Sequence, residues 1–171
     1  MVDLPHIIDR MRRDAATIES LVAGTSDGDA RWKPAPEKWS ILEVVNHLYD
    51  EERDDFRTRL DLTLHHPETP WPGIDPARWA IERRYNERDP AESLRNFLAE
   101  RETSIQWLAA LRDPDWERVH RHPALGEMQA GSLLASWLAH DFLHIRQITR
   151  LHHERAAALA RPYSTRYAGT W

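Results

Sequence analysis

Apolar residues return at steps of three and four along four long stretches of the chain, and residues that start or stop helices bound each stretch. Leu4, Ile7, Ile8, Met11, Ala15, Ile18 and Leu21 predict a first helix over about Asp3 to Val22. A second opens at Ser40-Ile-Leu-Glu43, a capping box with Ser as N-cap and Glu three residues on. Its stripe continues through Val44, Val45, Leu48, Tyr49, Phe56 and Leu60 towards Leu64, and Pro67 follows its end. The third starts at Asp89-Pro90-Ala91-Glu92, with proline at the first helical position. It carries Leu94, Phe97, Leu98, Ile105, Leu108 and Leu111 and ends before Pro114. The fourth runs from near Gly131-Ser132 to about Ala158, with Leu133, Leu134, Trp137, Leu138, Ile145, Ile148 and Leu151 on its stripe.

The segments between are rich in Pro, Gly and Asp. Residues 23–39 read as a loop, and residues 65–89 as a long connection with a short helix around Pro76–Tyr85. Residues 113–130 link the third and fourth helices. Glu117–His122 is the best candidate for a strand there, but Pro123 and the surrounding arginines favour a loop. No stretch alternates well enough to predict a sheet. The expected fold is all-α, a four-helix bundle with long connections, and residues 1–171 are expected to form one domain.

A domain of this length buries roughly 70% of its unfolded surface, so it needs no disulfide or metal merely to fold. There is no cysteine, which excludes disulfides, zinc–thiolate sites and a cysteine nucleophile. The net charge of −5 argues against broad nucleic-acid binding, which needs a basic face. MVDLPHIIDRMRRD has no signal-like apolar core, and no run approaches a membrane span, so the expected location is the cytoplasm.

The polar residues inside the fourth stripe carry the chemistry. Leu133, Trp137, His140, His144, Ile148 and Leu151 share one face, and its outer members are apolar. His140 and His144 stand at i and i+4, one turn apart on the same side, the spacing that lets two imidazoles hold one metal ion. Spacing alone leaves open a pair of hydrogen-bonded core histidines. Two ligands make a poor site, and His47 on the second helix is the best third, since Glu51, Glu52 and Asp55 then turn that helix's inner face acidic. The remaining histidines have simpler readings: His65, His66, His152 and His153 sit near helix C-termini, where positive charge is favoured, and His6 in an exposed first turn.

Other motifs fail on context. Gly24-Thr-Ser-Asp-Gly28 spells G-x-S-x-G, but a nucleophile elbow needs a strand before it and a helix after it. His140-Asp-Phe-Leu-His144 has zincin spacing with Asp141 in place of the glutamate base, one methylene shorter. Neither His47 nor His144 has a glutamate three residues earlier, as a di-iron bundle requires.

Lys38-Trp39-Ser-Ile-Leu-Glu-Val-Val-Asn-His47-Leu48, followed by Glu51, resembles the second-helix signature of the DinB-like (DinB/YfiT) superfamily. His140-Asp-Phe-Leu-His144-Ile-Arg-Gln147-Ile148 resembles its fourth-helix signature. Gly126–Gly131 is similar to the usual lead-in to that helix, and the tail from Tyr167 to Trp171 to family C-termini. The resemblance implies a bundle, often a homodimer, with a divalent metal, Zn or Ni, on three histidines at one end of the bundle. Carried over, the ligands are His47, His140 and His144. It also implies metal-dependent transferase, isomerase or hydrolase chemistry on a small-molecule substrate, with a low-molecular-weight thiol as cosubstrate in some relatives.

Three neutral imidazoles leave the ion its full charge and an open fourth position, where water or an external thiol loses a proton near neutral pH. Glu51 and Asp55 are candidates for a general base or for orienting a ligand's outer nitrogen. The alternative is a non-catalytic, stress-related bundle whose ion is structural, with a fourth protein ligand closing the site.

Overall fold

The structure, a computed structural model, describes residues 2–169. Trp171, the last residue of the tail, lies outside them. The elements run α1 (Leu4–Val22), α2 (Asp27–Ala30), α3 (Ile41–Asp50), a π-helical segment (Glu51–Phe56), α4 (Arg57–His65), α5 (Pro76–Glu82), α6 (Pro90–Ala110), β1 (Val119–His122), β2 (Gly126–Gln129) and α7 (Ala130–Leu159). Short 3₁₀ turns occupy Tyr85–Glu87 and Arg166–Ala168. Four rods make the bundle: α1, the continuous α3–π–α4 rod, α6 and α7. α6 packs against α1 and α3, while α7 packs against α1, α3 and α4. Among the described residues no helix is long and apolar enough to cross a membrane.

The caps at Ser40 and Asp89 lie where the sequence places them, and Asp3 caps α1 as well. Asp3 accepts from the His6 N–H and Asp89 from the Glu92 N–H. At α3 both halves of the capping box form, Ser40 Oγ accepting from Glu43 N at 3.1 Å and the Glu43 carboxylate from Ser40 N at 2.8 Å. Ser40 Oγ also donates to Asn86 Oδ1 at 2.6 Å, and Lys33 pairs with Glu43 at 2.7 Å. These bonds fix the start of the rod that carries His47.

Three features differ from the sequence expectation. The second helix is not uniform: Arg57 N–H bonds to Glu52 C=O, five residues back, and the Thr58 hydroxyl donates to Arg53 C=O at 2.6 Å. A π segment leaves the apolar pattern nearly intact, so periodicity reads through it. The loop after α1 contains α2, capped by Ser26, whose Oγ accepts from Asp29 N. The serine of the G-x-S-x-G string is therefore a helix cap. Finally, residues 119–129 form an antiparallel hairpin, Val119 opposite Gln129 and His122 opposite Gly126, where a loop is expected. Gly126, at φ +77°, adopts the left-handed conformation that closes its turn. Four-residue strands, Val-His-Arg-His and Gly-Glu-Met-Gln, are too short and too polar to announce themselves by alternation.

The core has two apolar halves. One gathers Met11, Leu60, Leu64, Ile105, Leu108, Leu134 and Trp137; the other gathers Ile18, Val44, Val45, Leu48, Phe97, Ile148 and Leu151. Between them every rod contributes buried polar groups: Asp14 from α1, Glu51, Glu52 and Asp55 from the π segment, Arg101 and Ser104 from α6, Asp141 and His144 from α7. This polar layer, packed on both sides, lies within the length of the bundle and not at its end.

Candidate metal centre

Desolvating this many charges costs several kcal/mol each unless they are paired, and the layer is organised to pair them. Arg101, 1% exposed, donates through Nη1 and Nη2 to both carboxylate oxygens of Asp141, each at 2.7 Å. Its Nη2 also lies 2.7 Å from Glu52 Oε1, and that oxygen accepts from Trp137 Nε1 at 2.8 Å. Burial pulls the guanidinium's pKa down, but Glu52 and Asp141 outweigh it and hold it above its usual value. Burial pushes the Asp141 carboxyl up against the opposing pull of Arg101. The zincin-like position of Asp141 is thus spent on Arg101, which joins α6, the π segment and α7.

Beside this network the three histidines meet. His140 and His144 project from one turn to the next of α7, their Nε2 atoms 3.0 Å apart and ring centroids 4.3 Å apart. His47 arrives from α3 with its ring 4.7 Å from His144 and 5.5 Å from His140. One ligand nitrogen from each lies within 4.8 Å of the others. Trp39 packs on His47 at 4.8 Å and Phe56 on His140 at 5.2 Å, walling the group on two sides.

The electrostatics keep all three rings neutral. Burial, reinforced by its two neighbours, holds His47 down to about 2. Burial, His144 and Arg101 hold His140 at about 3, and burial against the opposing pull of Gln147 leaves His144 at about 4. His144 Nδ1 meets Gln147 Oε1 at 2.8 Å; an amide oxygen only accepts, so Nδ1 carries the proton and Nε2 presents its lone pair inward. His47 Nδ1 faces Glu51 Oε1 at 3.5 Å, and among the described residues neither buried atom has a hydrogen-bond partner.

Three neutral nitrogens turned on one point, with an unsatisfied buried imidazole among them, fit a divalent ion of intermediate softness. A tetrahedral site with bonds of about 2.0–2.1 Å spaces its nitrogens roughly 3.3 Å apart, close to the His140–His144 separation.

Glu51 and Asp55 take different places. Glu51 sits against His47, its carboxyl pushed up to about 9 by burial and then by Asp55. Asp55 is also raised by burial; it hydrogen-bonds to Glu51 and pairs with Arg59 at 2.8 Å, and neither of these bonds involves a histidine. His120 and His122 lie apart: His120 is buried on the Trp71 ring at 4.4 Å with Nδ1 on Pro67 O. His152 meets Leu21 O through Nε2 at 2.7 Å, a tertiary contact in place of a merely helix-terminal role. Sequence reasoning passed over Gln147 and Arg101. Arg101 falls four residues after Phe97 and four before Ile105, a cation on the apolar stripe, which was the available signal.

A helical bundle with a three-histidine group shared between two rods and set in a buried polar layer defines the class to which this molecule belongs. Residues 10–148 match the DinB superfamily, and the chain is a member of it. YuaE, an uncharacterized protein of Bacillus subtilis (strain 168), is 26% identical over 142 residues, covering 75% of this chain and 86% of its own. Among solved structures, YfiT from Bacillus subtilis superposes with a TM-score of 0.79 at 20% identity, over 91% of this chain and 90% of that one. YfiT is described as a probable metal-dependent hydrolase with an unusual four-helix bundle topology. The likeness establishes the bundle fold of this chain.

Proposed function

We propose that the protein is a metal-dependent enzyme holding one divalent ion, zinc or nickel, on His47, His140 and His144, and that it acts on a small molecule with water or a low-molecular-weight thiol as nucleophile. The observation that carries this reading is the convergence of three buried, neutral imidazoles within 4.8 Å. When bound there, the ion supplies Lewis-acid activation of whatever occupies its open position. The residues do the rest. Gln147 selects the His144 tautomer, Glu51 stands 3.5 Å from His47 Nδ1, and the Arg101 network fixes the α7 turn that carries His140 and His144. Glu51 keeps its proton at neutral pH, which suits orientation better than proton abstraction. The description of YfiT as a hydrolase supports the water branch.

The count of ligands favours this reading over a structural site. The group contains three histidines and no carboxylate among the described residues, as in open catalytic centres; structural sites close with a fourth. Elemental analysis of protein purified without a His-tag or a metal column tests the reading. The expected result is about one zinc or nickel per chain, lost in His144→Ala. No metal, and no uptake on addition, overturns it. A cobalt-substituted protein whose spectrum ignores added thiol removes the thiol branch. The homodimer implied by the resemblance belongs to the same proposal, and a monomeric mass in light scattering at micromolar concentration overturns it.

A further inference from the structure

Beside the histidines the surface opens into a cleft of about 290 Å³, lined by Pro34, Ala35, Lys38 and Trp39 from the loop before α3 and by Gln147, Arg150, Leu151 and Glu154 from α7. Its volume is at the lower end of the small-molecule range. Two of its lining residues touch candidate ligands: Trp39 packs on His47 and Gln147 holds His144. Beyond Gln147 a second hollow of about 480 Å³ adds Leu143 and Arg146.

The charge here opposes that of the molecule. In a chain of net charge −5, the two hollows gather Lys38, Arg146 and Arg150 against one carboxylate, Glu154, which pairs with Arg150 at 2.7 Å. Lys38 and Arg146 make no ion pair among the described residues, whereas nearby Lys33 and Arg155 are taken by Glu43 and Asp29. Trp39 and Leu151 give the cleft an apolar floor. Exposed cations beside Trp39 and Leu151 suit a ligand that is anionic at one end and apolar along its body.

We propose that this cleft seats the substrate and selects small organic anions, with Lys38 and Arg150, whose exposed pair with Glu154 is weak enough to yield, meeting a carboxylate while the reacting group reaches the histidines. The proposal rests on the metal-enzyme reading above. It assigns Lys38 and Arg150 to specificity, since they meet the anion and not the reacting atoms.

Cobalt-loaded protein supplies the test. Two probes are titrated while the cobalt absorption is followed: succinic acid monohydroxamate, and the counterpart whose carboxylate is replaced by a carboxamide. Wild type is expected to bind the acid about fivefold more tightly than the amide, the yield of two exposed charge contacts. The preference should vanish in Lys38→Gln/Arg150→Gln and shrink at about 0.5 M salt. Both positions are exposed, so circular dichroism of the double variant should match wild type. Equal affinities in wild type, or an unchanged preference in the variant, overturn this inference alone. Cobalt that binds but ignores both hydroxamates overturns it together with the open-site reading, and protein that takes up no cobalt overturns the metal reading itself.

Discussion

At neutral pH the imidazoles of His47, His140 and His144 are held uncharged by their burial, with folded pKa values of about 2, 3 and 4 against 6.5 for the free ring. Below pH 6.5 the unfolded chain therefore binds more protons than the folded one, and stability present above that value is lost as the pH falls. Urea midpoints of the metal-free protein should drop between about pH 7 and pH 5, and His144→Gln should flatten the fall. Glu51 has the opposite sign. Its contribution is full below its ordinary value of 4.5 and is lost as the pH rises through about 9. Stability should thus decline from neutral towards alkaline pH, and Glu51→Gln, an uncharged isostere, should remove most of that decline in the same titration. The spacing of His140 and His144 was legible because one helix carries both. The contact of Gln147 was not, since it depends on which imidazole nitrogen the amide meets in space.

The α3–π–α4 rod and α7 are held in register by Arg101, which reaches Glu52 on one and Asp141 on the other from α6. Removing the guanidinium strands two buried carboxylates, so Arg101→Ala should cost about 3–5 kcal/mol in chemical denaturation. It should also weaken metal retention, because the turn bearing His140 and His144 loses its brace. Arg101→Lys keeps the charge without the bidentate fork and should recover part of the stability, read in the same denaturation series. At the head of the rod, Ser40→Ala removes a helix cap and should cost about 1 kcal/mol with little effect on bound metal. Caps such as Ser40 and Asp89 could be read directly, because the interaction spans three residues. The π segment could not, because its extra residue is chosen by the polar layer it faces and leaves no period of its own.

For the molecule as a whole, the buried layer interrupts an otherwise continuous core, and a bound ion would compensate part of that cost. Ligand binding to the folded state alone stabilises by about 2.7 kcal/mol at a hundredfold excess over Kd. Scanning calorimetry should show the melting temperature rising with added zinc or nickel and falling again with a chelator, a response absent in His47→Ala. An unchanged melting temperature in wild type would argue against the proposed site. By itself the sequence determined the four rods, their caps, the apolar faces that pack them and the paired histidines on α7, because each is a relation between residues a few positions apart. Only the tertiary structure decided that His47 meets that pair, that Arg101 claims Asp141, that residues 119–129 pair as a hairpin and that the polar groups of all four rods lie in one layer. Those relations join residues from tens of positions to more than ninety apart, or, in the hairpin, strands too short to show a period. They arise when packing chooses which face of each rod turns inward and at what height.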